Sequence, residues 1–381
     1  MIDIFTIYNL IVVTLLIILL IIAVINVVHF ASVSIDIPLK HQPFVSVLIP
    51  ARNEEKTIYE CVEGLCNQSY SNYEVIVLND SSTDGTATLL NALAIAYPSK
   101  LTVIQGGELP KGWMGKSYAC HLLSKKAKGE YLLFTDADTK HEYKSIESLI
   151  ATTQKYDADL LSGIPLQLMN TFWEKAIIPI IHLLYFAYLP NKLIHTSQTV
   201  SLSAANGQLI LFKKKMYDTI LGHESVKNNI VEDIYLAKNV KKAGGKVVLA
   251  NAILIVSCKM YNNAKEVFQG FSKNLYPGLG YNPFLLVLFI AHLLILYVVP
   301  VAITLYAMIF NHSIELFSLL HLSIAFIIRS IITYKFNMPL DQIFYQPAAA
   351  FGTSIIAINS FIWTIRKEGQ MWKDRYYTHS S

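Results

Sequence analysis

Charge is scarce in this chain. Of its 381 residues only 15% are Asp, Glu, Lys or Arg, against 53% apolar. The 31 basic and 27 acidic residues leave a formal net charge of +4, too mild a surplus to point to nucleic acid, so none is expected as a partner. Cysteine is equally sparse: Cys61, Cys66, Cys120 and Cys258 form no C-x-x-C pair and have no histidines at zinc spacing, and they read as reduced structural thiols. A dinucleotide-binding oxidoreductase needs G-x-G-x-x-G directly after its first strand, and here that loop reads PARNEE, which excludes the class. No internal repeat or low-complexity stretch stands out.

Apolar runs are what the chain has in abundance. A mean hydropathy of +0.41 is too high for an ordinary soluble domain, yet the middle of the chain carries too many charges for a wholly membrane-embedded protein. One soluble domain with membrane segments attached is expected. Residues 5–30 are almost continuously apolar, long enough to cross about 30 Å of hydrocarbon at about 1.5 Å per residue. The only charge ahead of that core is Asp3, so it reads as a permanent transmembrane anchor and not as a cleaved signal. Residues 284–310 form a second span. Residues 314–334 form another, with Glu315 and Arg329 near its ends, where they can reach the interface. Residues 343–365 are interrupted by Pro347 and Gly352 and read as re-entrant or half-embedded, which gives a membrane region over 284–365 of two to three segments. The tail, 366–381, is basic and expected in the cytoplasm. Residues 172–190 are apolar but bracketed by Glu174 and Lys175 and broken by Pro179, so an interfacial or acceptor-lining helix is expected there.

Between these segments strand and helix alternate. FVSVLIP from Phe44, YEVIVLND ending in Asp80, and LTVIQGG read as strands, separated by helical patterns such as Ile58, Val62 and Leu65. Such alternation predicts a parallel α/β sheet whose carboxyl ends hold the ligand, with Asn53, Asp80 and Asp136 along one rim.

The richest stretch is GEYLLFTDADTKHE, from Gly129 to Glu142. A buried strand would deliver Asp136 and Asp138 to the sheet edge, and residues two apart on a strand share a face. Two carboxylates held together call for a cation between them, and magnesium or manganese with bound phosphate oxygens suits. A solvated turn after a strand uses the same residue types.

PARNEEKTI, VIVLNDSSTDGT, GWMGKSYACHLLSKKAKGEYLLFTDADT and IVEDIYLAKNVKKAGGKVV occur in the order and spacing of family 2 glycosyltransferases. The chain resembles that family over Val45 to about Lys273. Within it, GWMGKSYAC, GHESVKNNIVED, GFSKN and the terminal WKDRYY are most similar to membrane-bound enzymes that glycosylate carotenoid acids and to hopanoid- and ceramide-linked relatives.

The resemblance implies a GT-A fold, a Rossmann-like nucleotide-sugar-binding α/β domain over 44–275, with a UDP-sugar as donor and a divalent metal. It also implies roles. Pro50, Ala51 and Glu54 would line the uracil and ribose pocket, and Asp80 would accept from the base N–H, the family's D-G-S being Asp80-Ser81-Ser82 here. Lys116 would face the donor phosphates, Asp136 the ribose or sugar, and Asp138 would bind the metal. Glu232 and Asp233 resemble the family's acidic pair, Asp233 as the base in an inverting attack; two acids in the first turn of a helix also suit its macrodipole. On the acceptor side, NAKEVFQGFSKN falls where relatives carry Q-x-x-R-W, with Gln269 at its first position, Lys273 assigned to the arginine and Asn274 to the tryptophan. The expected activity is transfer of a sugar, glucose from UDP-glucose, to a lipophilic acceptor such as diaponeurosporenoate, by an enzyme in the plasma membrane that crosses it several times with its catalytic domain in the cytoplasm. The alternatives are a hopanoid, sphingolipid or diacylglycerol hydroxyl as acceptor, or a catalytically silent membrane scaffold.

Overall fold

The computed structural model describes residues 3–35, 37–366, 370–372 and 375–377. The chain divides into two compact units, one built from 30–168 and 192–260 with the described residues after 369, the other from 1–29, 169–191 and 261–369. The sheet-bearing unit thus differs from an unbroken domain over 44–275, because 169–191 and 261–275 pack with the apolar helices.

In the first unit the strands up to residue 260 are β1 Ala31–Ser32, β2 Val45–Ala51, β3 Tyr73–Asn79, β4 Leu101–Gln105, β5 Tyr131–Thr135, β6 Thr139–His141, β7 Leu160–Ile164, β8 Leu166–Gln167, β9 Leu209–Lys213, β10 Val247–Asn251 and β11 Val256–Cys258. Eight of them form one sheet in the order β1-β10-β7-β9-β5-β2-β3-β4. All residues of β2, β5, β7 and β10 are buried, as a sheet covered on both faces requires. Pro50 is tolerated near the end of central β2 because β2 pairs with β5 only over Val45–Leu48, so no ladder bond is lost on that side. The helix Ile58–Cys66 buries Ile58, Cys61, Val62 and Leu65 at helical spacing.

The sheet is mixed, which corrects the expectation of a parallel one. β9 runs antiparallel to both β5 and β7. The consequence is positional: an antiparallel strand begins where its parallel neighbours end, so the polar segment Asn206–Gln208 ahead of β9 is delivered to the same rim as Asp136. A small second sheet, β6-β11-β8, follows the D-A-D stretch.

The second unit is helical. Ile4–His29, Pro283–Phe310, Leu316–Lys335 and Leu340–Arg366 are four stretches long and apolar enough to cross a membrane. Pro347 does not interrupt the last one: it is the second residue of the helix Gln346–Arg366, where an N–H has no helical partner to lose. Gly352 is a packing device, since a Cβ there would come within 2.9 Å of the Trp173 ring and 3.0 Å of Ile177.

The 172–190 segment is not a surface helix. Ile177, Ile178, Ile180, Leu183 and Phe186 are buried, and its pieces pack on the helices Ile4–His29, Leu316–Lys335 and Gln346–Arg366. Its apolarity therefore faces protein. Breaks in it are repaired by side chains, as apolar surroundings demand. Asn26 Nδ2 donates to the carbonyls of Phe186 and Leu189 at 2.8 and 2.7 Å, at the π-helical turn Leu184–Tyr188, while Asn26 Oδ1 accepts from the Asn191 N–H. Pro179 cannot donate to the Lys175 carbonyl, and Arg329 Nη2 does so instead at 3.1 Å. Arg329, expected to reach the interface, is fully buried and also donates to the side-chain oxygens of Gln342 and Gln346. The tail 366–381 lies largely outside the described residues.

Candidate active site

The carboxyl ends of β2 and β3 meet in a tight double turn. The Asp80 N–H donates to the Ala51 carbonyl at 2.8 Å, and Arg52 Nη1 donates back to the carbonyls of Asp80 and Ser81 at 2.6 and 3.1 Å. Asp80 is buried. A Cβ at Gly106 would come within 3.0 Å of its Oδ1, so β4 closes on the carboxylate because a glycine follows that strand. Ser81, where the family pattern has glycine, takes φ +52°, so the left-handed turn is kept despite the substitution. Asn53 also has φ +52° and accepts from the Thr83 N–H, and the Glu54 N–H donates to Thr86 Oγ1 at 2.8 Å. Pro50, Ala51, Glu54 and Asp80 thus share one end of the sheet. Arg52 was not singled out in the sequence, where it is one of several charges in ARNEEK.

Beyond β5 the two aspartates are not a strand pair, contrary to expectation. β5 ends at Thr135, paired with Leu209, and Asp136 to Thr139 close a turn in which the Thr139 N–H and Oγ1 both donate to the Asp136 carbonyl, at 3.3 and 2.7 Å. The turn parts the carboxylates. Asp136 Oδ1 lies 2.7 Å from Lys116 Nζ, while Asp138 accepts from the Cys258 thiol.

Lys116, near the start of the helix Gly115–Lys126, is the centre of the site. Besides Asp136 its ammonium reaches Glu232 Oε1 at 3.5 Å and the Gly207 carbonyl at 3.4 Å. Burial opposes its charge, but the Asp136 and Glu232 carboxylates outweigh that and raise its pKa well above the lysine range. Asp233 follows in the first turn of the helix Glu232–Lys242. Its Oδ2 accepts from the Gly207 N–H and its Oδ1 from the Ile234 N–H, each at 2.8 Å. Burial, reinforced by the Glu232 charge, pushes its pKa above the ordinary carboxylate value. One backbone residue, Gly207, therefore links the lysine to the would-be base.

Gln208 extends the link. Its carbonyl accepts from Thr135 Oγ1 at 3.0 Å and from the Asp136 N–H at 3.3 Å. The Asn206–Gln208 segment was missed in the sequence. Its one signal there is a polar interruption, NGQ, between apolar neighbours.

Among the described residues no three His, Cys, Asp or Glu side chains gather as a metal cluster. A hard cation held through one or two carboxylates plus donor phosphate oxygens and water does not need one. Asp138 supplies such an oxygen, and Asp136 a second one now engaged by Lys116, so the donor set fits magnesium or manganese.

Gln269 and Lys273 lie on the helix Ala264–Gly278 of the other unit, Gln269 exposed. Counting Q-x-x-R-W strictly from Gln269 puts Ser272 and Lys273 at the arginine and tryptophan positions, which corrects the earlier alignment. Ser272 is buried and accepts from Asn359 at 3.0 Å, so the element is not present.

Comparison with known proteins bears on the family and the fold. Residues 46–221 match the family described as Glycosyl transferase family 2. The 4,4'-diaponeurosporenoate glycosyltransferase of Staphylococcus haemolyticus is 30% identical over 241 residues, 61% of each chain. That of Staphylococcus aureus (strain MRSA252) is 29% identical over 245 residues, 62% of each. The match thus spans under two thirds of these relatives' own length. Among solved structures, a mannosyltransferase from Pyrobaculum calidifontis, in complex with GDP-Man and Mn2+, overlays with TM-score 0.52 at 16% identity, covering 87% of this chain and 90% of that one. At that identity the likeness speaks for fold alone, and the fold is GT-A. The similarity to glycosyl transferase family 2 thus spans residues 46–221, a little under half of the chain.

Proposed function

We propose that this protein transfers a sugar from a UDP-sugar, UDP-glucose in the favoured form, to the carboxylate of a lipophilic acid of the carotenoid type, such as diaponeurosporenoate. The observation that carries the reading is the cluster of Lys116, Asp136, Glu232 and Asp233 around Gly207 at the carboxyl ends of the sheet. The relatives named for that reaction, and four helices apolar enough to hold the protein in a membrane, support the acceptor class.

In this reading Pro50, Ala51, Glu54 and Asp80 bind the uridine, the Asp80 carboxylate accepting from the base N–H. Lys116 leaves Asp136 for the donor diphosphate, a point charge moving from one anion to another. A divalent metal, when bound at Asp138 with the phosphates, supplies neutralisation of the charge on the leaving diphosphate. Asp233 orients the acceptor for in-line attack with inversion. A carboxylic acid is already ionised near neutral pH, so no proton need be taken from it.

A second reading, transfer to a lipid hydroxyl such as that of a hopanoid, sphingolipid or diacylglycerol, is favoured by one observation. Burial and Glu232 raise the pKa of Asp233, which suits a general base working near neutral pH. The catalytic domain faces the cytoplasm of the plasma membrane in both readings, where nucleotide sugars are found.

The experiment offers purified protein UDP-glucose with a polyene carboxylic acid and, separately, a sterol-like or ceramide alcohol, for the native chain, Asp138→Asn and Asp233→Asn. Transfer to the acid, mildly reduced in Asp233→Asn but abolished in Asp138→Asn, supports the first reading. Transfer only to the alcohol, reduced by about 10²–10⁴ in Asp233→Asn, moves the assignment to the second. No transfer and no UDP-glucose hydrolysis would leave a scaffold.

A further inference from the structure

The side chain of Gln208 and the Cys258 thiol have no part in the chemistry above, yet they are joined to it by a buried, one-directional chain of hydrogen bonds. Gln167 Nε2 donates to Gln208 Oε1 at 2.8 Å, and Gln208 Nε2 donates to Cys258 Sγ at 2.9 Å. An amide nitrogen cannot accept, so the sulfur is the acceptor there and keeps its own hydrogen for another partner. That partner is the Asp138 carboxylate. All three side chains are buried, Gln167 5%, Gln208 6% and Cys258 1% exposed, so water does not compete for the bonds between them.

The other end of the same residue acts on the other aspartate. The Gln208 carbonyl takes the Asp136 N–H and Thr135 Oγ1. Gln208 therefore grips the turn Asp136–Asp138 twice, through its backbone at the first residue and through Cys258 at the last. A carboxylate with an S–H directed at one oxygen has its rotation fixed and its remaining lone pairs aimed elsewhere.

We infer that Gln208 and Cys258 are positioning residues for the Asp138 carboxylate, orienting it toward the divalent cation that accompanies the donor diphosphate. This rests on the reading of Asp138 as the metal-binding residue. Hydrogen bonds from the surroundings of a ligating carboxylate preset its orientation, and their loss typically costs about 10–100-fold in metal affinity. Serine at position 258 can accept and donate as the thiol does, whereas alanine can do neither.

The test is Mn2+ binding in the presence of UDP, followed by the electron paramagnetic resonance signal of free Mn2+, on full-length protein in detergent with Tm recorded alongside. Cys258→Ala and Gln208→Met are expected to weaken Mn2+ binding at least tenfold, with Cys258→Ser within about threefold of the native chain. Gln167→Leu, farthest from the aspartate, gives a smaller loss in the same direction and covers the case in which Cys258→Ala fails to fold. Native Mn2+ affinity in folded Cys258→Ala or Gln208→Met overturns the inference, as does Cys258→Ser binding as weakly as Cys258→Ala at normal Tm. Asp138→Asn is the control: if it keeps native Mn2+ affinity, the metal reading of Asp138 falls and takes the inference with it. Loss in Asp138→Asn with native binding in Cys258→Ala removes the inference alone.

Discussion

Asp233 receives two backbone N–H bonds, from Gly207 and Ile234, in a place where burial and Glu232 still push its pKa up. That imbalance is measurable as stability. A carboxyl whose folded pKa exceeds its unfolded value of about 3.9 binds its proton more tightly when folded. Its stabilising effect is complete below the unfolded pKa and is lost as pH rises through the folded one. Asp233→Asn removes the titrating group, so its Tm should exceed that of the native chain at neutral and alkaline pH, with the gap closing toward pH ~4, while the proposed transfer activity falls. Thermal unfolding in detergent across that range checks this, and a variant no more stable at pH ~8 than at pH ~4 relative to native refutes it. Ser81 makes the complementary point. It holds φ +52°, and a left-handed residue other than glycine carries a cost of about 1–2 kcal/mol. The turn at Asp80 keeps its form because Arg52 Nη1 donates to the carbonyls of both Asp80 and Ser81.

At the scale of elements, the N-terminal helix Ile4–His29 is more than an anchor. Asn26 repairs the π-helical turn Leu184–Tyr188, and Tyr8 Oη donates to the Ile295 carbonyl at 3.3 Å in the second π-helical turn, Leu294–Val298. π-Helical turns leave carbonyls without their usual partner, and in apolar surroundings a side chain must supply one. Asn26→Leu keeps the volume and apolarity of a membrane helix but leaves the Phe186 and Leu189 carbonyls and the Asn191 N–H without their partner. It should lower the stability of the helical unit by about 1–2 kcal/mol, with binding of the proposed nucleotide-sugar donor by the sheet-bearing unit unchanged. An unaltered midpoint of thermal inactivation in detergent would show that these bonds carry no net stability. The antiparallel β9 is the corresponding device in the sheet, since its direction alone brings Asn206–Gln208 to Lys116, Asp136 and Asp233.

Over the whole molecule the apolar helices are spread through the chain, one ahead of the sheet-bearing unit and three after it. A chain shortened by residues 1–29 should therefore still pellet with membranes after alkaline carbonate washing, because Pro283–Phe310, Leu316–Lys335 and Leu340–Arg366 remain. It should also unfold at a lower temperature than the native chain, because Asn26 and Tyr8 are gone. Recovery of the shortened chain in the soluble fraction, or an unchanged Tm, would contradict this.

Local patterns determined a large part of this protein. The apolar run from Ile4, the strands ending at Ala51, Asn79 and Thr135, and the acids Asp80, Asp136 and Asp233 are legible because periodicity and motif order are properties of neighbouring residues. Tertiary structure decided the rest. No local signal states strand direction, so β9 could read as one more parallel strand, and the part of Gly207 and Gln208 in the site stayed hidden with it. The D-A-D stretch looks like strand until the ladder with β9 ends at Thr135 and frees it to turn. Arg329 and the 172–190 segment invite an interfacial reading because hydropathy cannot tell apolar residues that meet lipid from those that meet other helices. That distinction depends on which surfaces are covered, and Trp173, Ile177 and Gly352, far apart in sequence, meet only when the chain has folded.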